Sequence, residues 1–153
     1  MPDPMNSQIQ EILTTVSTLT LATSGVEQHP HAAPVYFAAD ERLNLYFFSD
    51  PDSRHIQDLV DNPQVAGAIY PEVQGWREIR GLQLHGRVDL VESGEVWAHA
   101  WAHYQEKFPF VRALRAVVAR NQLYVFTPTW IRLVDNSQGL GYQQEYSINT
   151  SAE

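Results

Sequence analysis

Leu43-Asn44-Leu45-Tyr46-Phe47-Phe48-Ser49 is the most strand-like run in the chain. Its aromatic and branched side chains suit a pleated, half-buried surface. The polar turn Asp40-Glu41-Arg42 precedes it, and before that turn His31–Ala38 carries Val35, Tyr36 and Phe37. Further back, Gly25 supplies another turn. Thr18–Ser24 then alternates Leu19, Leu21 and Thr23 against Thr18, Thr20 and Ala22, the period-two pattern of a strand. Strands this close in sequence predict an antiparallel meander.

Outward from the meander, Ser7–Val16 places Ile9, Ile12, Leu13 and Val16 at helical spacing behind a cap at Asn6 or Ser7. Ser53–Val60 reads as a helix that begins after Asp50-Pro51-Asp52 and stops at Asn62-Pro63. Gln64–Tyr70 is a strand. Glu78–Val91 is a long strand punctuated by Gly81 and Gly86, which mark bulges or close backbone approach. Glu95–Lys107 and Phe110–Val118 read as helices separated by Pro109, and Leu123–Thr127, Trp130–Val134 and Tyr142–Ile148 as further strands. The sum is a mainly β chain: six or seven antiparallel strands closing into a barrel, with short helices outside it.

A chain of 153 residues suits one domain, taken as 1–153. Ten basic against 18 acidic residues leave a net charge of −8, which repels phosphate backbones and argues against nucleic acid as a partner. The absence of cysteine removes thiol nucleophiles, disulfides and cysteine-based metal sites. No window approaches ~18 consecutive apolar residues, so no membrane span is expected. Met1-Pro2-Asp3-Pro4 lacks the basic and apolar regions of a signal peptide. The expectation is a soluble, cytoplasmic protein.

Several clusters could carry chemistry. His99 and His103 share a helix face, but no third ligand is evident and Ala100 stands where a zinc-protease motif needs Glu. A packed or exposed helix face is the commoner arrangement, and no metal is assigned. His29 and His31 flank Pro30 at a strand entry. Nucleophile-elbow, Walker and dinucleotide-binding motifs are absent. Ser49–His55 (S-D-P-D-S-R-H) joins a strand to a helix start, where backbone N–H groups favour an anion. Ser49 and Ser53 can donate to phosphate oxygens, and Arg54 can clamp them. On spacing alone, a capped helix with a solvated Arg54 explains the segment equally well. Arg80 and Gln83 bracket a glycine on the long strand, with Arg77 three residues before Arg80. A solvated basic edge is the plain alternative there. Trp97, Trp101 and Tyr104 form a stripe that should pack on the barrel.

Taken in order, these segments resemble the pyridoxamine-phosphate-oxidase-like split-barrel flavoproteins. T-L-T-L-A-T (Thr18–Thr23), P-H-A-A-P-V-Y-F (Pro30–Phe37), L-Y-F-F-S (Leu45–Ser49), S-R-H (Ser53–His55) and N-P-Q-V-A (Asn62–Ala66) carry the likeness. R-G-L-Q-L-H-G (Arg80–Gly86), K-F-P-F-V-R (Lys107–Arg112) and D-N-S-Q-G-L-G-Y (Asp135–Tyr142) look like a YhbP-like branch. The likeness spans nearly the whole chain. It implies an FMN-binding split barrel that works as a homodimer with FMN in clefts at the subunit interface. By that resemblance Ser49, Ser53, Arg54 and His55 hold the FMN phosphate, and the backbone of Ala33, Pro34, Val35 and Tyr36 lines the isoalloxazine. Arg80 and Gln83 would come from the partner subunit, Arg80 facing the flavin N1/C2 carbonyl.

Two departures qualify this. His55 stands where the family commonly has Lys, so weak FMN retention is expected. Arg132 is followed by Leu133 and Val134 rather than the Arg-x-His pair that holds pyridoxamine phosphate, so vitamin B6 oxidation is not expected. The leading expectation is an FMN-dependent oxidoreductase acting on a small molecule, with no nameable general acid or base. The alternative is a non-catalytic module binding flavin or haem for storage or sensing, with His29, His31 and His85 as haem-ligand candidates. A deazaflavin reductase ranks lower, because its cofactor tail calls for more basic residues.

Overall fold

A computed structural model describes residues 4–148, with side chains from Ser7 onward. The strands are β1 (Thr18–Ser24), β2 (Pro30–Tyr36), β3 (Ala38–Ala39), β4 (Leu45–Ser49), β5 (Gln64–Ile69), β6 (Arg80–Leu90), β7 (Gln122–Asp135) and β8 (Gln143–Ser147). The helices are α1 (Pro4–Thr15), α2 (Arg54–Asp61), α3 (Glu95–Lys107) and α4 (Arg115–Ala119). The sheet order is β2-β1-β5-β6-β7-β4-β3, with β8 added beside β7. Because β2 and β3 are separated only by Phe37, one ribbon pairs with β1 at its start and with β4 at its end. That shared ribbon curls the sheet round into the split barrel. Every pairing is antiparallel.

Period-two alternation fills the barrel. Leu19 and Leu21 of β1, Leu45 and Phe47 of β4, Leu82 and Leu84 of β6, and Phe126, Ile131 and Leu133 of β7 point into one core. α1 adds Ile9, Ile12 and Leu13 to that core, each contributing about 1.5–3 kcal/mol by burial. The opposite face of β4 carries Tyr46 and Phe48. These pack under α3, with Ala100 and Tyr104 buried against them and Trp97 and Trp101 closing over Phe48. The expected Trp97–Trp101–Tyr104 stripe does pack on the barrel.

Some boundaries depart from expectation. Leu43 lies outside the strand: its φ of 66° turns the chain, and its N–H closes on the Asp40 carbonyl. The two strands expected at Leu123–Thr127 and Trp130–Val134 are one strand, β7. The pairing shifts register at His85/Gly86, and this bulge accommodates Pro128, which has no N–H to donate. A Cβ on Gly86 would lie 2.2 Å from the Thr127 carbonyl oxygen, so glycine is required there. Arg77 is not on the long strand but in a 3-10 turn over Trp76–Glu78. The expected Phe110–Val118 helix is a 3-10 stretch over Pro109–Leu114 followed by α4. No described helix is long and apolar enough to cross a membrane.

Candidate functional site

β4 ends at Ser49, on the same side of the strand as Leu45 and Phe47. The chain then turns through Asp50-Pro51-Asp52. The Asp50 carboxylate accepts the Asp52 N–H (2.8 Å), and its carbonyl accepts both the N–H (3.0 Å) and the hydroxyl (2.7 Å) of Ser53. This fixed turn launches α2 at Arg54. Ser53 occupies the cap position, but no side chain caps the helix, so its first-turn amides remain open to an anion. Beside them, Ser49 Oγ lies 2.6 Å from His55 Nε2, and Ser53 Oγ lies 3.4 Å from both. Burial pushes the His55 pKa down, opposed only in part by the Asp58 charge. His55 is therefore neutral at pH 7 and offers a hydrogen bond rather than a charge.

Arg54 turns the other way. Its Nε lies 3.6 Å from an oxygen of Asp58, a buried carboxylate at 5% exposure. Asp58 also accepts from Thr23 Oγ1 (2.9 Å) and meets His31 Nδ1 (2.7 Å). Burial alone would raise the Asp58 pKa. The Thr23 and His31 hydrogen bonds and the His31 and Arg54 charges outweigh it and hold the carboxyl below its usual value. The adjoining cavity, about 220 Å³, is lined by Glu27, Asp58 and Asp61 as well as Arg54. It is small and acidic, so it does not suit a flavin.

The other expected site residues are spread along the sheet. Ala33, Pro34, Val35 and Tyr36 lie on β2, which pairs with β1 alone. Val35 enters the core, whereas Pro34 and Tyr36 face outward. Arg80 and Gln83 lie on β6, separated from β2 by β1 and β5. Arg80 pairs with Glu11 (3.3 Å), and Gln83 accepts from Arg132 (3.3 Å), which also pairs with Glu145. Within one chain the structure thus gathers Ser49, Ser53 and His55, sets Arg54 against Asp58, and leaves Arg80 and Gln83 elsewhere. The haem-ligand candidates are also dispersed. His29 is exposed, His31 is held by Asp58, and His85 stacks on Trp130 at 4.4 Å between ring centres.

Two features were not legible in the spacing. Asp58 sits four residues after Arg54 and reads as an ordinary helix-surface acid, yet β1 and β2 enclose it. A cavity of about 630 Å³ opens between Phe48, Trp97, Trp101, Arg112 and Arg115, on the face of β4 opposite Ser49.

The family model described as pyridoxamine 5'-phosphate oxidase matches residues 5–135. The chain belongs to the pyridoxamine 5'-phosphate oxidase family. A UPF0306 protein of Photorhabdus laumondii is 32% identical over 111 residues, covering 69% of this chain and 68% of its own. The haem storage protein HutZ from Vibrio cholerae has a similar fold, with a TM-score of 0.69, 21% identity, and coverage of 80% of this chain and 88% of its own. So does an FAD-binding protein from Mesorhizobium loti, with a TM-score of 0.67, 20% identity, and coverage of 82% and 89%. Family membership accounts for the split barrel. At these identities the solved structures speak to the fold alone, and the ligand in this member of the family has to be argued from its own residues.

Proposed function

We propose that the protein is an FMN-binding flavoprotein that works as a homodimer and as an oxidoreductase on a small molecule. The observation that carries this reading is the convergence of Ser49, Ser53 and His55 beside the uncapped start of α2. The donor set fits a phosphate: the Ser49 hydroxyl, an imidazole and open backbone amides, with Arg54 on the same turn and a Ser53 hydroxyl that can turn from the Asp50 carbonyl to an anion. Arg54 is 59% exposed along its side chain, so it can leave Asp58 and reach an anion without disturbing the core. Bound flavin would supply hydride and electron transfer, and the protein would supply binding, orientation and electrostatics. Ala33–Tyr36 on the edge strand would lie along the ring system. Arg80 and Gln83 would reach the cleft from the partner subunit, because their own chain holds them on a different part of the sheet.

Absorption spectra before and after adding FMN and removing the excess test the cofactor. Retained flavin bands are expected, and Arg54→Ala should weaken FMN binding by roughly 1.5–3 kcal/mol, the scale of a hydrogen bond to a charged group. Unchanged affinity in that variant would sink the phosphate assignment. No flavin retained even at high FMN would sink the cofactor. Sedimentation showing only monomer would remove the shared cleft.

The second reading is haem storage or sensing, storage being the role named for HutZ, which shares the fold. A Soret band that disappears when His29, His31 or His85 is replaced would favour it, and haem titration without such a band would remove it.

A further inference from the structure

We propose that Glu41, His99 and His103 form a binding site for a divalent transition cation of the zinc type. His99 and His103 stand one turn apart on α3, with ring centres 4.6 Å apart. The third group comes from a different element. Glu41, in the turn between β3 and β4, places a carboxylate oxygen 3.4 Å from His103 Nε2. One donor atom from each of the three residues lies within 4.8 Å of the other two. In a tetrahedral zinc site with bonds of about 2.0–2.1 Å, neighbouring donors are about 3.3–3.4 Å apart. The existing cluster therefore needs to contract by about 1.5 Å at most. Glu41 at 67% and His99 at 43% side-chain exposure are free to make that change.

The turn that carries Glu41 is rigid for an independent reason. Asp40 Oδ1 accepts the N–H groups of Arg42 (2.9 Å) and Asn44 (3.0 Å), and Oδ2 accepts from Asn44 Nδ2 (3.0 Å) and Tyr46 OH (2.7 Å). Leu43 sits at φ 66° to close the loop. Glu41 thus projects from a backbone already fixed opposite α3. Asp40 Oδ2 itself lies 3.4 Å from His99 Nε2, so two carboxylates face two imidazoles, a balance that favours a cation. Two imidazoles and a carboxylate suit zinc, nickel or cobalt rather than calcium or magnesium, which prefer all-oxygen shells. Three protein ligands leave a position for water. A bound ion would clamp α3 to the β3–β4 turn across the outside of the barrel. The site shares no residue with the Ser49–His55 segment.

Isothermal titration of tag-free, chelator-treated protein with zinc chloride tests the proposal. One equivalent should bind to the wild type, and its melting temperature should rise with zinc and fall back with chelator. His103→Ala and Glu41→Gln should each weaken binding by at least about tenfold, since even residues behind the ligands are worth about 10–100-fold. Melting curves without metal establish that both variants fold. Equal affinity and stoichiometry in the wild type and a His99→Ala/His103→Ala double variant would assign the zinc to other histidines and overturn the site. So would a wild type that binds no zinc.

Discussion

Asp58→Asn is the most informative single perturbation of the fold. Asp58 is 5% exposed and tied to Thr23 at 2.9 Å and to His31 at 2.7 Å. It joins α2 to β1 and β2, and Asn62 at the helix end adds a second link, its Nδ2 donating to the Ser24 carbonyl (3.0 Å). Each hydrogen bond to a buried charge is worth about 1.5–3 kcal/mol, and the two share one desolvation penalty, so they do not simply add. Asparagine keeps the shape but loses the charge, and its amide NH₂ faces a donor on one side. A loss of about 3 kcal/mol follows, the upper end of the range for one hydrogen bond to a charged group. At about 2–4 °C per kcal/mol for a domain of this size, the melting temperature at pH 7 should fall by roughly 6–12 °C. The pH dependence has a definite sign. The native pKa of Asp58 lies below its ordinary value of 3.8, so its stabilisation is fully present above that value and is lost as pH falls through the native pKa. The gap between wild type and variant should therefore narrow below about pH 4. Thermal melts followed by circular dichroism at pH 7, 5 and 3 check both parts. A variant that melts within about 2 °C of the wild type at pH 7 would refute the account.

Gly86→Ala should destabilise by about 1–3 kcal/mol or more, because its methyl would press on the Thr127 carbonyl at 2.2 Å and on Phe126 at 2.9 Å; an unchanged denaturant midpoint would show that the bulge relaxes freely. Lys107→Met should also destabilise, since Lys107 Nζ donates to the carbonyls of Leu13 (2.8 Å) and Val16 (2.7 Å) at the end of α1. Burial pushes the Lys107 pKa down to about 8. The native state then releases a proton that the unfolded chain keeps, so wild-type stability should gain relative to Lys107→Met as pH rises from 8 towards 10. Denaturant titrations at pH 7.5 and 9.5 read the difference, and a constant gap would refute that sign.

Much of the fold was legible because its signals are local. Thr18–Ser24 and Glu95–Lys107 run as the spacing predicts, since alternation and helical period each act within a few residues. Gly86 was recognisable as punctuation, although its partner was not. That partner is the Pro128 stretch some forty residues later, and only the pairing of β6 with β7 shows why a proline inside a strand does not break it. Leu43, an apolar residue beside a strand pattern, extends that pattern on paper. The closure of Asp40 onto Asn44 decides otherwise.

The candidate site divides along the same line. Ser49, Ser53 and His55 span seven residues, so a turn and one helical step suffice to bring them together. What constrains Arg54 comes from elsewhere: Asp58 is enclosed where Thr23 and His31 arrive on β1 and β2 and the Gly25 turn closes over it. Both side chains that could bring positive charge to a phosphate at this turn are weakened, for different reasons. His55 is kept neutral by burial, and Arg54 must leave a buried carboxylate before it can bind an anion. Neither weakness can be read from the S-D-P-D-S-R-H string, which displays an arginine and a histidine and nothing that opposes them. The same physics makes Asp58 a competitor for the ligand. A phosphate and the Asp58 carboxylate cannot both take full advantage of Arg54, so the residue that secures α2 to the barrel also limits how tightly the site can hold an anion.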